Sequence, residues 1–289
     1  MVLSALSFSL MGVCVKQVGG RIPAAEVVLF RALLSVALTW VLLRRAGVNP
    51  WGHRRGLLVL RGVLGTAALL CVYIALAELP LASATVLQYL YPTFTALLAW
   101  LALGERLSWR LLTAMALGWL GVLLVARPAA LLPLAGGGPA RPALPVAIAV
   151  AGALGTALAY VSVRQLGRSE HPLVIVFFFP LVAVPLSLPL VALQPVWPTP
   201  VEFLWLVGVG LFTQLGQVWL TRGLTALPAA RATAISYVQV VFAGAWGWLI
   251  FREPLSPTTV VGAALVLAAT ALSLGGRSAG AGDRSASPG

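Results

Sequence analysis

Of the 289 residues, 60% are apolar and 9% are charged, and the mean hydropathy is +0.99, whereas a soluble domain carries about 25% charged residues. These values exclude a soluble enzyme or binding domain and give an integral membrane protein whose surroundings are the lipid bilayer. A net charge of +12 would suggest nucleic acid in a soluble chain, but here the arginines stand in short connections between apolar runs, so no nucleic-acid partner is expected.

A membrane-crossing helix takes about 20 apolar residues. Ten stretches qualify: 2–18, 24–43, 57–77, 81–103, 110–126, 144–165, 172–193, 203–222, 229–251 and 258–275. The first lacks the basic leading region and the A-x-A cleavage site of a signal peptide, so it is read as a span. Gly and Pro mark residues 127–143 as a linker. Residues 276–289 form a small polar tail that is expected to be disordered. Cys14 and Cys71 lie within apolar runs, which indicates neither a disulfide framework nor a metal site. The fold class is therefore an all-α polytopic membrane protein with a first unit at 1–126 and a second at 144–275.

The two units are copies. LPLASATVLQYLYPTFTALLAWLALGERLS, residues 79–108, aligns without a gap on LPAARATAISYVQVVFAGAWGWLIFREPLS, residues 227–256, with twelve of thirty positions identical. The matches include Pro80/Pro228, Thr85/Thr233, Tyr89/Tyr237, Trp100/Trp248, Glu105/Glu253 and Ser108/Ser256. Chance matching through Leu and Ala does not produce that set.

Five spans per unit, an odd number, make the second copy enter the membrane from the opposite side, so the repeat is expected to be inverted. With the N-terminus inside, the cytoplasmic segments carry thirteen basic residues (Arg44, Arg45, Arg54, Arg55, Arg61, Arg106, Arg110, Arg164, Arg168, Arg222, Arg231, Arg277 and Arg284). The outer segments carry five, namely Lys16, Arg21, Arg127, Arg141 and Arg252. This imbalance places both termini in the cytoplasm.

Inverted repeats point to transport about a site near the midplane, and polar groups at mid-span are the candidates. Span eight offers Thr213, Gln214 and Gln217, with the glutamines on one helical face, suited to a substrate or to a hydrogen bond between helices. Span four has Gln88, Tyr89 and Tyr91 ahead of Pro92, which removes a backbone donor and bends the helix. Span nine repeats the theme with Ser236, Tyr237 and Gln239. Span six carries Thr156 and Tyr160, and span three carries Tyr73. Together these predict an aromatic, uncharged pocket. Arg31, near the middle of span two, can meet a substrate carboxylate or phosphate, or pair with Glu26, although a spacing of five separates their faces. Arg61 and Arg222 lie close enough to the cytoplasmic surface to snorkel. Pro180, Pro185 and Pro189 predict a bent span seven. Glu105, Glu253, Ser108 and Ser256 read as helix-end signals, the serines as caps.

No carboxylate stands at a span centre, so a proton relay has no carrier. H-E-x-x-H, G-x-S-x-G and Walker patterns are absent, so neither enzyme activity, catalytic residues, metal nor cofactor is expected.

FRALLSVAL, the stretch RGVLGTAALLCVYIALAELPLASATVLQYLYPTFTALLAWLALGERLSW and its second copy resemble the EamA-type transporters of the drug/metabolite transporter superfamily. That resemblance covers nearly the whole chain. It implies ten helices in two inverted five-helix repeats, a central cavity, and spans five and ten at the periphery or in homodimer contacts. Similar proteins move amino acids, nucleoside-like metabolites or drugs, and the FRALLS and RGVLGT wording is nearest to a branch associated with S-adenosylmethionine-type uptake. The expected function is a secondary or facilitative transporter, in a bacterial-type inner membrane, of a small polar or zwitterionic metabolite. A membrane sensor or scaffold, or a channel, built on the same repeat is the alternative.

Overall fold

The computed structural model describes residues 1–18, 21–78, 87–105, 107–126, 143–193, 195–252 and 257–274. Linker residues 127–142 and the tail, together with Pro80, Thr85, Glu253 and Ser256 of the repeat motif, lie outside the described residues. Among the described residues there are eleven helices and no strand: α1 (Val2–Val18), α2 (Ala24–Arg45), α3 (Arg55–Glu78), α4 (Tyr91–Leu103), α5 (Trp109–Ala126), α6 (Ala143–Leu166), α7 (Pro172–Leu193), α8 (Pro200–Ala226), α9 (Ala229–Ile235), α10 (Val238–Phe251) and α11 (Pro257–Leu274). Six segments are long and apolar enough to cross a membrane, counting α9 and α10 as one, and four shorter apolar helices occupy the other predicted stretches.

Where helix ends differ from the predicted spans, polar chemistry explains the difference. Span eight, expected at 203–222, is a helix from Pro200 to Ala226. It starts on a capping box in which Thr199 Oγ1 accepts from Glu202 N at 3.3 Å and Glu202 accepts from Thr199 N at 2.7 Å. An apolar window cannot see that polar first turn. Ser108 accepts from Leu111 N at 3.2 Å, the expected cap of α5. The helices α4 and α10 both end on a left-handed residue, Gly104 with φ 66° and Arg252 with φ 54°, at equivalent positions of the two copies. The chain thus repeats a backbone geometry that glycine adopts freely and arginine only under strain.

Every helix has its most extensive contacts with the other copy. The main pairs are α1 with α8 and α3 with α6, α2 with α7, α5 with α11, α4 with α6 and α1 with α10, and α3 with α7 and α2 with α8. Exchanging the copies maps this set onto itself, as a duplicated unit with an internal twofold requires. Small residues permit the crossings, since lipid supplies no hydrophobic drive between helices and close backbone approach has to substitute for it. A Cβ on Gly121 would stand 2.7 Å from the Gly262 carbonyl oxygen, and one on Gly152 would stand 2.9 Å from Cys71 Cβ. Large apolar side chains such as Leu204 and Leu193 face outward, with Trp197 and Trp109 near helix ends, as at a membrane interface.

Four carboxylates tie the connections together. Glu202 pairs with Arg21, and its hydrogen bond raises the Arg21 guanidinium above its ordinary pKa. Glu170 accepts from the backbone N–H groups of His53 and Arg54 at 2.7 and 2.5 Å. Glu105 pairs with Arg164 at 3.2 Å and accepts from Ala229 N at 2.9 Å, so it joins the copies as well as marking a helix end. Glu26 accepts from Val196 N at 3.2 Å, so its carboxylate is directed to that connection.

Candidate functional site

Spans four and nine are both interrupted, at the same place in the repeat. In span four a turn occupies Tyr89 and Leu90 and α4 restarts at Tyr91. In span nine the turn falls at Ser236 and Tyr237, between α9 and α10, where Gln239 N reaches Ser236 O at 3.0 Å and Val240 N reaches Tyr237 O at 3.0 Å. These are three-residue bonds that tighten a helix end. Pro92 accounts for the first break, yet the matching residue of copy two is Val240. Proline is therefore not what the second break requires. There, the Thr233 hydroxyl donates to the Ala229 and Ala230 carbonyls, and Ser236 lies 3.5 Å from the Ala232 carbonyl, which competes with the regular ladder.

The two breaks meet beside a cavity of about 700 Å³ between the copies, a volume in the range of small-molecule sites. Of the residues singled out by sequence, Arg31, Gln88, Tyr89, Tyr91, Tyr160, Gln217 and Gln239 line it, as does Thr156. The others do not. Thr213 and Gln214 border a narrow adjoining crevice, where Gln214 Nε2 donates to Thr39 Oγ1 at 2.8 Å, a hydrogen bond between helices. Tyr237 is fully buried, stacked on Tyr89 with centroids 5.8 Å apart and packed against Gly118. Ser236 is buried in the turn. Tyr73 belongs to α3, and its side chain lies outside the described residues.

Tyr89, Tyr91 and Tyr160 form a continuous aromatic wall, with centroids 6.1 Å apart for the first pair and 5.5 Å, edge to face, for the second. The opposite chemistry comes from a residue the sequence reading assigned to the surface. Arg61 is 2% exposed and lines the cavity. Its guanidinium lies 4.3 Å from the Phe179 ring centre, and Nη2 donates to Gln217 Oε1 at 3.3 Å. Arg61 stands two turns into α3, and Gly65, one turn further on, leaves room for both Phe179 and Arg61. The pattern R-G-x-x-G was the available signal. Arg31 faces the same ring at 5.9 Å, so the pocket is aromatic but not uncharged. No Asp or Glu is among the described residues that line it. Among the described residues no group of three or more His, Cys, Asp or Glu is placed to hold a metal ion.

Comparison with known proteins adds identity to this geometry. A family model, the EamA-like transporter family, matches residues 1–127 and 143–275. The chain is 33% identical over 273 residues to the pseudopaline exporter CntI of Pseudomonas aeruginosa, covering 93% of this chain and 92% of that protein. It is 30% identical over 278 residues to human solute carrier family 35 member G1, covering 92% of this chain and 75% of that one. A solved crystal structure shares the fold with a TM-score of 0.81 over 94% of this chain and 93% of the other, at 21% identity.

Proposed function

We infer the function of this chain from two facts taken together: it belongs to the EamA-like transporter family of the drug/metabolite transporter superfamily, and a cavity of about 700 Å³ lies between its two copies at paired helix breaks. The reading is a secondary or facilitative transporter that carries a small polar metabolite by alternating access. The cavity is the observation that carries it, because broken helices around a cavity shared by two repeats are what a rocking carrier requires. The exchange symmetry of the packing supports a duplicated bundle. Its inversion is supported by the carboxylate ties: Arg21 with Glu202, Glu26 with Val196, His53 and Arg54 with Glu170, and Glu105 with Arg164. Each joins segments that ten alternating crossings place on one side of the membrane. The Pseudomonas relative is named an exporter, and by that likeness the direction proposed is outward. A net-cationic sulfonium substrate is disfavoured, because two guanidiniums line the cavity.

Saturable solute flux in proteoliposomes tests the reading. Absence of flux would favour a sensor or scaffold, and linear, unsaturated flux a channel. Uniport or exchange is proposed over proton coupling, and flux that follows an imposed pH gradient would reverse that part.

Two substitutions separate the cavity from the packing around it. Gly244 lines the cavity, and a Cβ there would meet nothing within 4 Å. Gly244→Leu should therefore fold and extract like wild type while losing at least about tenfold in flux, because its side chain occupies the passage. The glutamines should divide. Gln217→Ala lowers flux, and because it removes the acceptor of the buried Arg61 guanidinium it lowers the thermal midpoint as well. Gln214→Ala removes the hydrogen bond to Thr39, whose hydroxyl still donates to the Ser35 carbonyl, and costs about 1 kcal/mol of stability, read as a lower thermal midpoint with saturation behaviour unchanged.

A further inference from the structure

The guanidinium of Arg61 has no carboxylate partner among the described residues. Arg61 is 2% exposed, and its Nε and Nη1 have no hydrogen-bond partner, which leaves three N–H donors. A guanidinium buried without a counter-charge is costly, so something that enters the cavity has to supply one. The four carboxylates whose side chains the structure describes within reach of a partner are all engaged elsewhere: Glu26 with Val196, Glu105 with Arg164, Glu170 with His53 and Arg54, and Glu202 with Arg21. Arg31 lines the same cavity, and both arginines flank one ring, Phe179. Tyr89, Tyr91 and Tyr160 form the aromatic part of the remaining wall, beside aliphatic side chains and the polar Gln88, Gln239 and Thr156.

We propose that Arg31 and Arg61 bind the carboxylate of an organic anion whose apolar or aromatic body lies against Tyr89, Tyr91 and Tyr160. This deepens the transport reading by naming a substrate class. It also supplies a driving force for outward movement without a coupling ion. An inside-negative potential of about 100 mV favours the outward distribution of a monoanion about 50-fold. Gln217, held by Arg61, positions the guanidinium at the cavity wall. The inference rests on the transport reading only for the direction of movement, since the clamp itself is a statement about binding.

The test is calorimetric binding to the full-length protein in phosphatidylcholine nanodiscs, with phthalate, citrate and N-acetylglutamate as probes, each beside its neutral ester. At least one carboxylate should bind saturably, with its ester at least about tenfold weaker. Arg61→Gln should lose at least about tenfold of that affinity, and Arg61→Lys, which keeps the charge, should lose less. The proposal is overturned if no carboxylate binds, if the esters bind equally well, or if Arg61→Gln leaves affinity unchanged. The comparison of acid with ester needs no variant, so it stands even if Arg61→Gln misfolds. Displacement of the probe when phosphatidylglycerol replaces a fraction of the lipid would overturn the solute assignment in favour of a lipid headgroup. Flux is measured separately under a potassium diffusion potential. Failure of flux with carboxylate binding intact removes the carrier reading and leaves the clamp, whereas flux of neutral and anionic probes alike removes the clamp and leaves the carrier.

Discussion

Replacing Gly121 with leucine is expected to abolish recovery of folded, monodisperse protein. A Cβ at this position would stand 2.7 Å from the Gly262 carbonyl oxygen, 2.7 Å from Val266 Cγ2 and 3.0 Å from the Val266 amide nitrogen. Two of these neighbours are backbone, which cannot rotate away, so α5 and α11 would have to separate along their shared face. Overpacking where side chains can adjust costs about 1–3 kcal/mol, and a leucine set against two backbone atoms of the neighbouring helix exceeds that range. Gly121→Ala should already lower the thermal midpoint. Gly12, also mid-helix but with nothing within 4 Å of its Cβ, is the control: Gly12→Ala should be neutral or stabilise by up to about 1 kcal/mol. Size-exclusion profiles after extraction check all three, and a wild-type profile for Gly121→Leu would refute the close crossing of α5 and α11.

Glu105→Ala is expected to damage both stability and transport. Its carboxylate holds the Arg164 guanidinium and the Ala229 amide, and Arg164 in turn donates to the Thr225 carbonyl at 2.6 Å. One residue of copy one thereby secures the ends of α6 and α8 and the start of α9. With the two side chains 14% and 23% exposed, breaking the cluster should cost about 1–3 kcal/mol. The repeat gives this cluster a counterpart. K-Q-V-G at 16–19 aligns on R-Q-L-G at 164–167 with the same offset that relates the copies, so Lys16 corresponds to Arg164. Lys16 Nζ lies 4.0 Å from the Phe251 ring centre, at the end of α10 that matches the end of α4. A carrier that alternates has to loosen one such end at a time, so weakening the Glu105 end should unbalance it. In a background lacking Cys14 and Cys71, a cysteine at Thr225 should label faster with a charged thiol reagent when Glu105 is alanine. Flux should fall at least about tenfold. The reversed pair, Glu105→Arg with Arg164→Glu, should recover part of the midpoint but not the Ala229 hydrogen bond. Unchanged labelling and midpoint in Glu105→Ala would show that the cluster closes nothing.

Particular residues show where sequence reasoning stopped. Arg61 and Arg222 had the same description, a cation a few residues inside a cytoplasmic end. Arg222 is exposed, lying over Trp219 at 5.4 Å, while Arg61 is buried against Phe179. Gln214 and Gln217 share a helical face by spacing, yet one bonds Thr39 on α2 and the other meets Arg61 at the cavity. Tyr89 and Tyr237 are repeat mates, but Tyr89 lines the cavity and Tyr237 lies behind it.

Helix position was largely legible because a chain in lipid satisfies its backbone within each segment, so apolar length, the cap at Ser108 and the two matched copies locate the helices, while the polar first turn capped by Thr199 escaped the apolar pattern. Which face of each helix meets the cavity was not, because lipid and protein interior are equally apolar and leave no periodic contrast to read. That orientation follows from the crossings between copies, where a few glycines let backbones approach. Only those crossings bring Arg31 and Arg61, from different helices, to the same ring.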